Sequence, residues 1–191
     1  MDEAPSPETA EMPPLLNRPG FARLLPVLGL GRLVFRGVPA AEARLGAALG
    51  LALPAINRMV HRGERGEPGA RALMRFGPDE LLLLLPRGEL ESAIAAISQA
   101  CAAEPHILVD VSDRHLGFVL EGPAVAAILH SGCPLDLDPR AFPVGMATRS
   151  LFHKAEILLW RIAPMLFRIE TGRSFAPYLV AQIGAGARDL G

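Results

Sequence analysis

Lysine is almost missing from this chain. Lys154 is the single example, and arginine supplies the rest of the positive charge. Aromatic residues are also scarce, at 5%, with one tryptophan and one tyrosine. That shortage argues against a stacking platform for single-stranded nucleic acid, which needs rings along a basic groove. A net charge of −1 argues against a surface built to neutralise phosphates, so no nucleic-acid partner is expected. The two cysteines, Cys101 and Cys133, lack the paired spacing of a disulfide framework or a structural zinc site. A reducing cytoplasm is the expected compartment. The N-terminus carries Asp2, Glu3, Glu8 and Glu11 where a signal peptide carries basic residues. The leucine run at 81–85 is far too short to cross a bilayer, so no membrane partner is expected.

Nucleotide signatures are missing as well. Gly29-Leu30-Gly31 begins like a dinucleotide fingerprint, but Val34 stands where the third glycine belongs. The segment also precedes an expected strand, whereas that motif must follow one. Neither a Walker A loop nor a G-x-S-x-G elbow occurs.

What is abundant is apolar surface. Hydrophobic residues make up 50% and mean hydropathy is +0.29. Such a chain needs either a large core or a partner that covers its surface.

Residues 1–20 read as a flexible arm, because Pro5, Pro7, Pro13, Pro14 and Pro19 forbid a regular helix. Residues 21–191 read as one domain, with possible sub-lobes at about 21–104 and 105–191. A strand is expected at 32–36. A helix follows at 40–49, with Pro39 at its start and Gly50 at its end. Residues 54–69 read as a solvated loop. Alternation at 70–76, turn chemistry at 77–80 and the leucine run suggest a hairpin; a helix beginning at Pro78 competes with it. Residues 89–102 form the clearest helix, with Leu90, Ile94, Ile97 and Cys101 on one stripe. Residues 107–111 and 115–120 read as strands or a hairpin. Gly122-Pro123 then launches a short helix at 124–130, with the proline at its first position. A loop at 132–147, strands at 148–152, 155–161 and 166–170, and a last helix capped by Ser174 complete the chain. This order gives an α+β fold: two intertwined lobes of mixed or antiparallel sheet with helices.

Chemistry-bearing residues converge poorly. His130, Cys133, Asp136 and Asp138 give H-x2-C-x2-D-x-D, but a structural zinc site uses paired Cys or His spacings, and Pro134 and Pro139 restrict the curl. No metal is expected there. Cys133 reads as a small apolar plug for its loop; the competing nucleophile reading needs a histidine within hydrogen-bond reach, for which His130 and His115 are the candidates. Asp110, Ser112, Asp113 and Arg114 form a polar set beside strands built for burial. Ser112 and Asp110 suit a turn closed by side-chain bonds to backbone N–H groups. The set is either a structural turn or an interface, with Arg149 and Arg173 as candidate counter-charges. Cys133 and Asp136 complete the candidate set. No catalytic, cofactor-binding or metal-ligating residue is assigned.

Six short blocks carry a resemblance: V-D-V-S-D-R (109–114), E-G-P (121–123), G-C-P-L-D-L (132–137), P-V-G-M-A-T-R (143–149), K-A-E-I-L-L-W-R (154–161) and R-S-F-A-P-Y (173–178). G-P-D-E-L-L-L (77–83) adds to them, with Leu81 where a tryptophan is often seen. Together they resemble the gamma subunit of heterotetrameric sarcosine oxidase over about 40–185. The resemblance implies a non-catalytic chain bound to alpha, beta and delta subunits. It implies oxidative demethylation of sarcosine to glycine by the complex, with hydrogen peroxide and 5,10-methylenetetrahydrofolate as products. It places FAD, FMN, NAD and zinc in the partner subunits and none on this chain. It also implies a fold similar to the folate-binding domain of aminomethyltransferase and the N-terminal domain of a tRNA-modifying GTPase. A stand-alone folate-binding or aminomethyl-transfer protein is one alternative. A subunit of a related N-methyl amino acid dehydrogenase is another.

Overall fold

The computed structural model describes residues 15–63 and 70–190. Two antiparallel sheets lie face to face, and each has a pair of helices on its outer side. The first sheet holds β3 (Leu30–Gly37), β4 (Arg58–Arg62), β5 (Arg71–Arg75), β6 (Glu80–Pro86) and β7 (His106–Asp110), in the order β4-β5-β6-β3-β7. The second holds β1 (Leu16–Arg18), β2 (Ala22–Val27), β8 (His115–Glu121), β9 (Ala147–Phe152), β10 (Ala155–Ala163) and β11 (Leu166–Gly172), in the order β1-β2-β8-β11-β10-β9. The N-terminal β2 pairs with β8. The two lobes are therefore intertwined, since the second sheet takes strands from both ends of the chain.

Strand alternation explains the layering, because successive side chains leave a strand on opposite faces. Leu81, Leu83 and Leu85 of β6 join Leu33 and Phe35 of β3 against α1 (Pro39–Leu49) and α2 (Leu90–Cys101). Leu82 and Leu84 point the other way, toward Trp160 and Ala147 of the second sheet. The leucine run is thus buried on both faces, which favours the hairpin over a helix from Pro78. On the far side, Phe167 and Ile169 of β11 pack with α3 (Val125–His130) and α4 (Ala176–Asp189). Cys101 is buried in the first outer core. Gly50 ends α1 at φ 63, and the Gly50 and Leu51 N–H groups bond back to Ala47 and Gly46 carbonyls.

Several expectations need correction. The loop expected at 54–69 contains β4, which pairs in register with β5. Within the expected arm, Leu16–Arg18 form β1 on the edge of the second sheet; residues 1–14 lie outside the described residues. β7 and β8 do not form a hairpin. β7 pairs with β3, and β8 pairs with β2 and β11. Ser112 is the physical reason: its hydroxyl accepts the Arg32 N–H at 2.9 Å, so the chain crosses between sheets there instead of folding back. Pro123 sits in the turn before α3, whose first residue is Val125. Ser174 lies in a single 3-10 turn, and α4 begins after Phe175 with no side-chain cap.

Candidate functional site

The inner faces of the sheets are not wholly apolar. Arg32 on β3 and Arg168 and Glu170 on β11 alternate with core residues and so point into the shared interior. Glu170 is 1% exposed. Its carboxylate accepts from Arg32 Nε at 2.7 Å and Nη2 at 3.3 Å, and from Arg168 Nε at 3.0 Å and Nη2 at 2.5 Å. Arg168 also lies over the Trp160 ring at 5.1 Å. Burial alone would raise the Glu170 carboxyl, but the two guanidiniums overcome it and hold it below its usual value. Gly117 of β8 makes the room. A methyl group at that position would run into the Glu170 carboxylate and lie 2.8 Å from Arg168 Nη2.

Arg32 and Glu170 line a cleft of about 820 Å³ that opens between the sheets. Val34, Leu82 and Leu158 wall it, and His115 faces it. Burial pushes the His115 imidazole down, against the pull of the Glu170 charge. At the rim Arg149 bonds both carboxylate oxygens of Glu80, at 2.9 Å from Nη1 to Oε2. That pair, with Arg36, holds the Glu80 carboxyl below its usual value. Each carboxylate facing the cleft from β6 or β11 is thereby held ionised by arginine.

The residues singled out from sequence fall in three places. Asp110, Ser112, Asp113 and Arg173 meet at the crossing between the sheets. Asp110 Oδ1 accepts the Ser112 N–H at 2.8 Å and its hydroxyl at 2.5 Å, which closes the expected turn. Those bonds hold the Asp110 carboxyl low although burial opposes them. Asp113 pairs with Arg87 at 3.2 Å, and its carbonyl accepts Arg173 Nε at 2.8 Å. Arg114 contributes its backbone there, accepting the Arg173 N–H, and its side chain is exposed. Arg149 does not serve this turn; it serves Glu80. Cys133 is buried in the outer core with Sγ 3.5 Å from Ser150 Oγ, and Asp136 accepts the Asp138 N–H. Among the described residues no three His, Cys, Asp or Glu side chains are placed to hold a metal ion. Arg161, missed from sequence, anchors the 132–147 loop by donating to Phe142 and Leu137 carbonyls at 2.7 and 2.8 Å.

A family profile, that of the sarcosine oxidase gamma subunit, matches residues 36–187. The chain belongs to this family. It is similar to the sarcosine oxidase gamma subunit of Corynebacterium sp. strain U-96, at 34% identity over 151 residues, covering 78% of this chain and 71% of the relative. Strain P-1 has a similar gamma subunit, at 31% identity over 180 residues, covering 93% and 85%. Among solved structures, a chain of the heterotetrameric sarcosine oxidase from Corynebacterium sp. U-96 matches with a TM-score of 0.80 and 30% identity, covering 95% of this chain and 89% of that one. The glycine cleavage system aminomethyltransferase of Bartonella henselae shares the fold, with a TM-score of 0.66 at 17% identity over 86% of this chain and 45% of that one. The blocks that carry the resemblance from 77 onward all lie inside the matched span of the gamma family. Within the described residues no helix is long and apolar enough to cross a membrane.

Proposed function

We propose that this chain is the non-catalytic gamma subunit of a heterotetrameric sarcosine oxidase, bound to alpha, beta and delta subunits. The complex demethylates sarcosine oxidatively to glycine, giving hydrogen peroxide and 5,10-methylenetetrahydrofolate. The observation that carries this reading is the match to a chain of a heterotetrameric sarcosine oxidase over nearly the whole length of both. In this reading FAD, FMN, NAD and zinc reside in the partners, the complex is cytoplasmic, and residues 21–191 act as its docking domain.

The carboxylates that β6 and β11 aim into the cleft are not available as general bases. A carboxylate in that role must be free to take a proton near neutral pH. Glu170 and Glu80 are both committed to guanidiniums, and Cys101 and Cys133 are buried in the outer cores. Asp110, Ser112, Asp113, Arg114 and Arg173 act as the joint between the sheets. Cys133 and Asp136 order the loop that follows α3, and Arg149 tightens the cleft rim.

Affinity capture of the tagged chain from its host tests the assignment. Three co-purifying chains and a flavin absorbance spectrum are expected. Recovery of a colourless chain without companions would refute it.

A further inference from the structure

Among the described residues the two sheets have four edge strands: β1, β4, β7 and β9. Three are guarded. β1 has three residues. β4 and β9 engage each other's ends, with Met59 N–H donating to the Gly145 carbonyl at 3.0 Å and Ala147 N–H to the Asn57 carbonyl at 3.1 Å. They also present Arg58, Arg62 and Arg149.

β7 is different. Within the described residues it pairs with β3 alone, without a bulge. Two bonds fix the phase of that ladder: Val111 N–H donates to the Arg32 carbonyl at 2.9 Å, and Val38 N–H to the Pro105 carbonyl at 3.4 Å. Bonded and non-bonded pairs alternate in an antiparallel ladder. With Val34 opposite Val109 and Arg36 opposite Ile107, residues 107 and 109 bond inward to β3. The N–H and C=O groups of His106, Leu108 and Asp110 consequently point away from the sheet.

The side chains make the same edge sticky. Leu108 turns to the helix-side core, and His106 stacks on Phe35 at 5.7 Å. Ile107 and Val109 share the opposite face and are 59% and 43% exposed. No lysine, internal proline or bulge protects the strand. Natural edges avoid an unpaired, uncharged aliphatic run of this kind, because it recruits other strands. A helix would leave the outward backbone groups unpaired, since it satisfies its own hydrogen bonds internally. An extended segment satisfies them.

We propose that β7 is completed by an extended strand from another subunit of the complex, which becomes the sixth strand of the first sheet. The added strand is uncharged at its centre. It carries aliphatic or β-branched residues at alternate positions, extending the Ile107–Val109 row. This inference rests on the subunit reading above.

The test compares amide hydrogen exchange in the full-length chain alone and in the co-expressed complex. In the chain alone, the His106, Leu108 and Asp110 amides exchange fast while those of Ile107 and Val109 are protected. In the complex Leu108 slows by about tenfold or more. The I107K/V109K variant, charged on exposed positions, keeps the melting temperature of the lone chain and loses about tenfold or more of the assembled complex. A variant that fails to fold leaves the exchange comparison to decide. Equal Leu108 exchange in both samples overturns the inference. So does protection of the lone chain that rises with its own concentration, which indicates a second copy, or protection abolished by deleting residues 1–14. A wild-type chain that assembles with no other subunit fails the subunit reading instead.

Discussion

Arg32 on β3 and Glu170 on β11 meet at 2.7 Å and tie one sheet to the other across their shared interior. Arg168 approaches the same carboxylate from its own strand, so two guanidiniums share one buried acceptor. Desolvating such a cluster is costly, and the mutual attraction offsets that cost only with good geometry. Its structural effect is directional. A shift of one sheet over the other breaks both Arg32–Glu170 hydrogen bonds together, whereas leucine contacts tolerate sliding.

Removing the negative charge leaves two buried cations without a counter-charge. Glu170→Gln is expected to destabilise the protein by about 3–5 kcal/mol. The compensating triple change R32M/R168M/E170L recovers most of that loss, because no buried charge remains. Urea unfolding of the three proteins checks both outcomes.

Gly117 is required for closeness. Gly117→Ala places a methyl group against the Glu170 carboxylate and Arg168 Nη2. A loss of about 1–3 kcal/mol is expected, in keeping with overpacking of a closed interior. Gly88→Ala, with open space around the added methyl, serves as the control in the same thermal melts.

Acid destabilises the fold in two stages. His115 is held below its usual 6.5 chiefly by burial, so the unfolded chain takes up the proton first and stability declines as pH falls below about 6.5. Glu170 and Glu80 are held below their usual 4.5, so their contribution is intact above that value and is lost as pH falls through their folded values. Urea midpoints measured from neutral to acid pH check this. A His115→Gln variant is expected to lose the first decline and keep the second.

The rim pair is worth far less than the buried one. The Arg149 side chain is 57% exposed, and solvent screens its bond to Glu80. Arg149→Ala is expected to cost less than about 1 kcal/mol. Denaturant midpoints of the two proteins, compared at low and high salt, check the size and the screening.

Much of the architecture is legible in the sequence, because the leucine run, the α2 stripe and the Pro39 and Gly50 helix boundaries each state a periodicity or a stop signal. β4 is hidden by its arginines and histidine, which suit an edge strand as well as a loop. The β7–β8 crossing looks like a hairpin because the decisive bond, from the Arg32 N–H to Ser112, spans distant parts of the chain. The charged interior carried a signal that sequence reading passed over. Arg168 and Glu170 are two apart on one expected strand, flanked by Phe167 and Ile169, and so share a face opposite the core. Their partner Arg32 lies on another sheet, which no local pattern reveals.

Sarcosine-dependent hydrogen peroxide formation is the most direct measure of the central claim. The co-expressed four-chain complex is expected to produce peroxide, and the purified lone chain, supplied with sarcosine, flavins, NAD and tetrahydrofolate, is expected to produce none. Peroxide production by the lone chain would contradict the account.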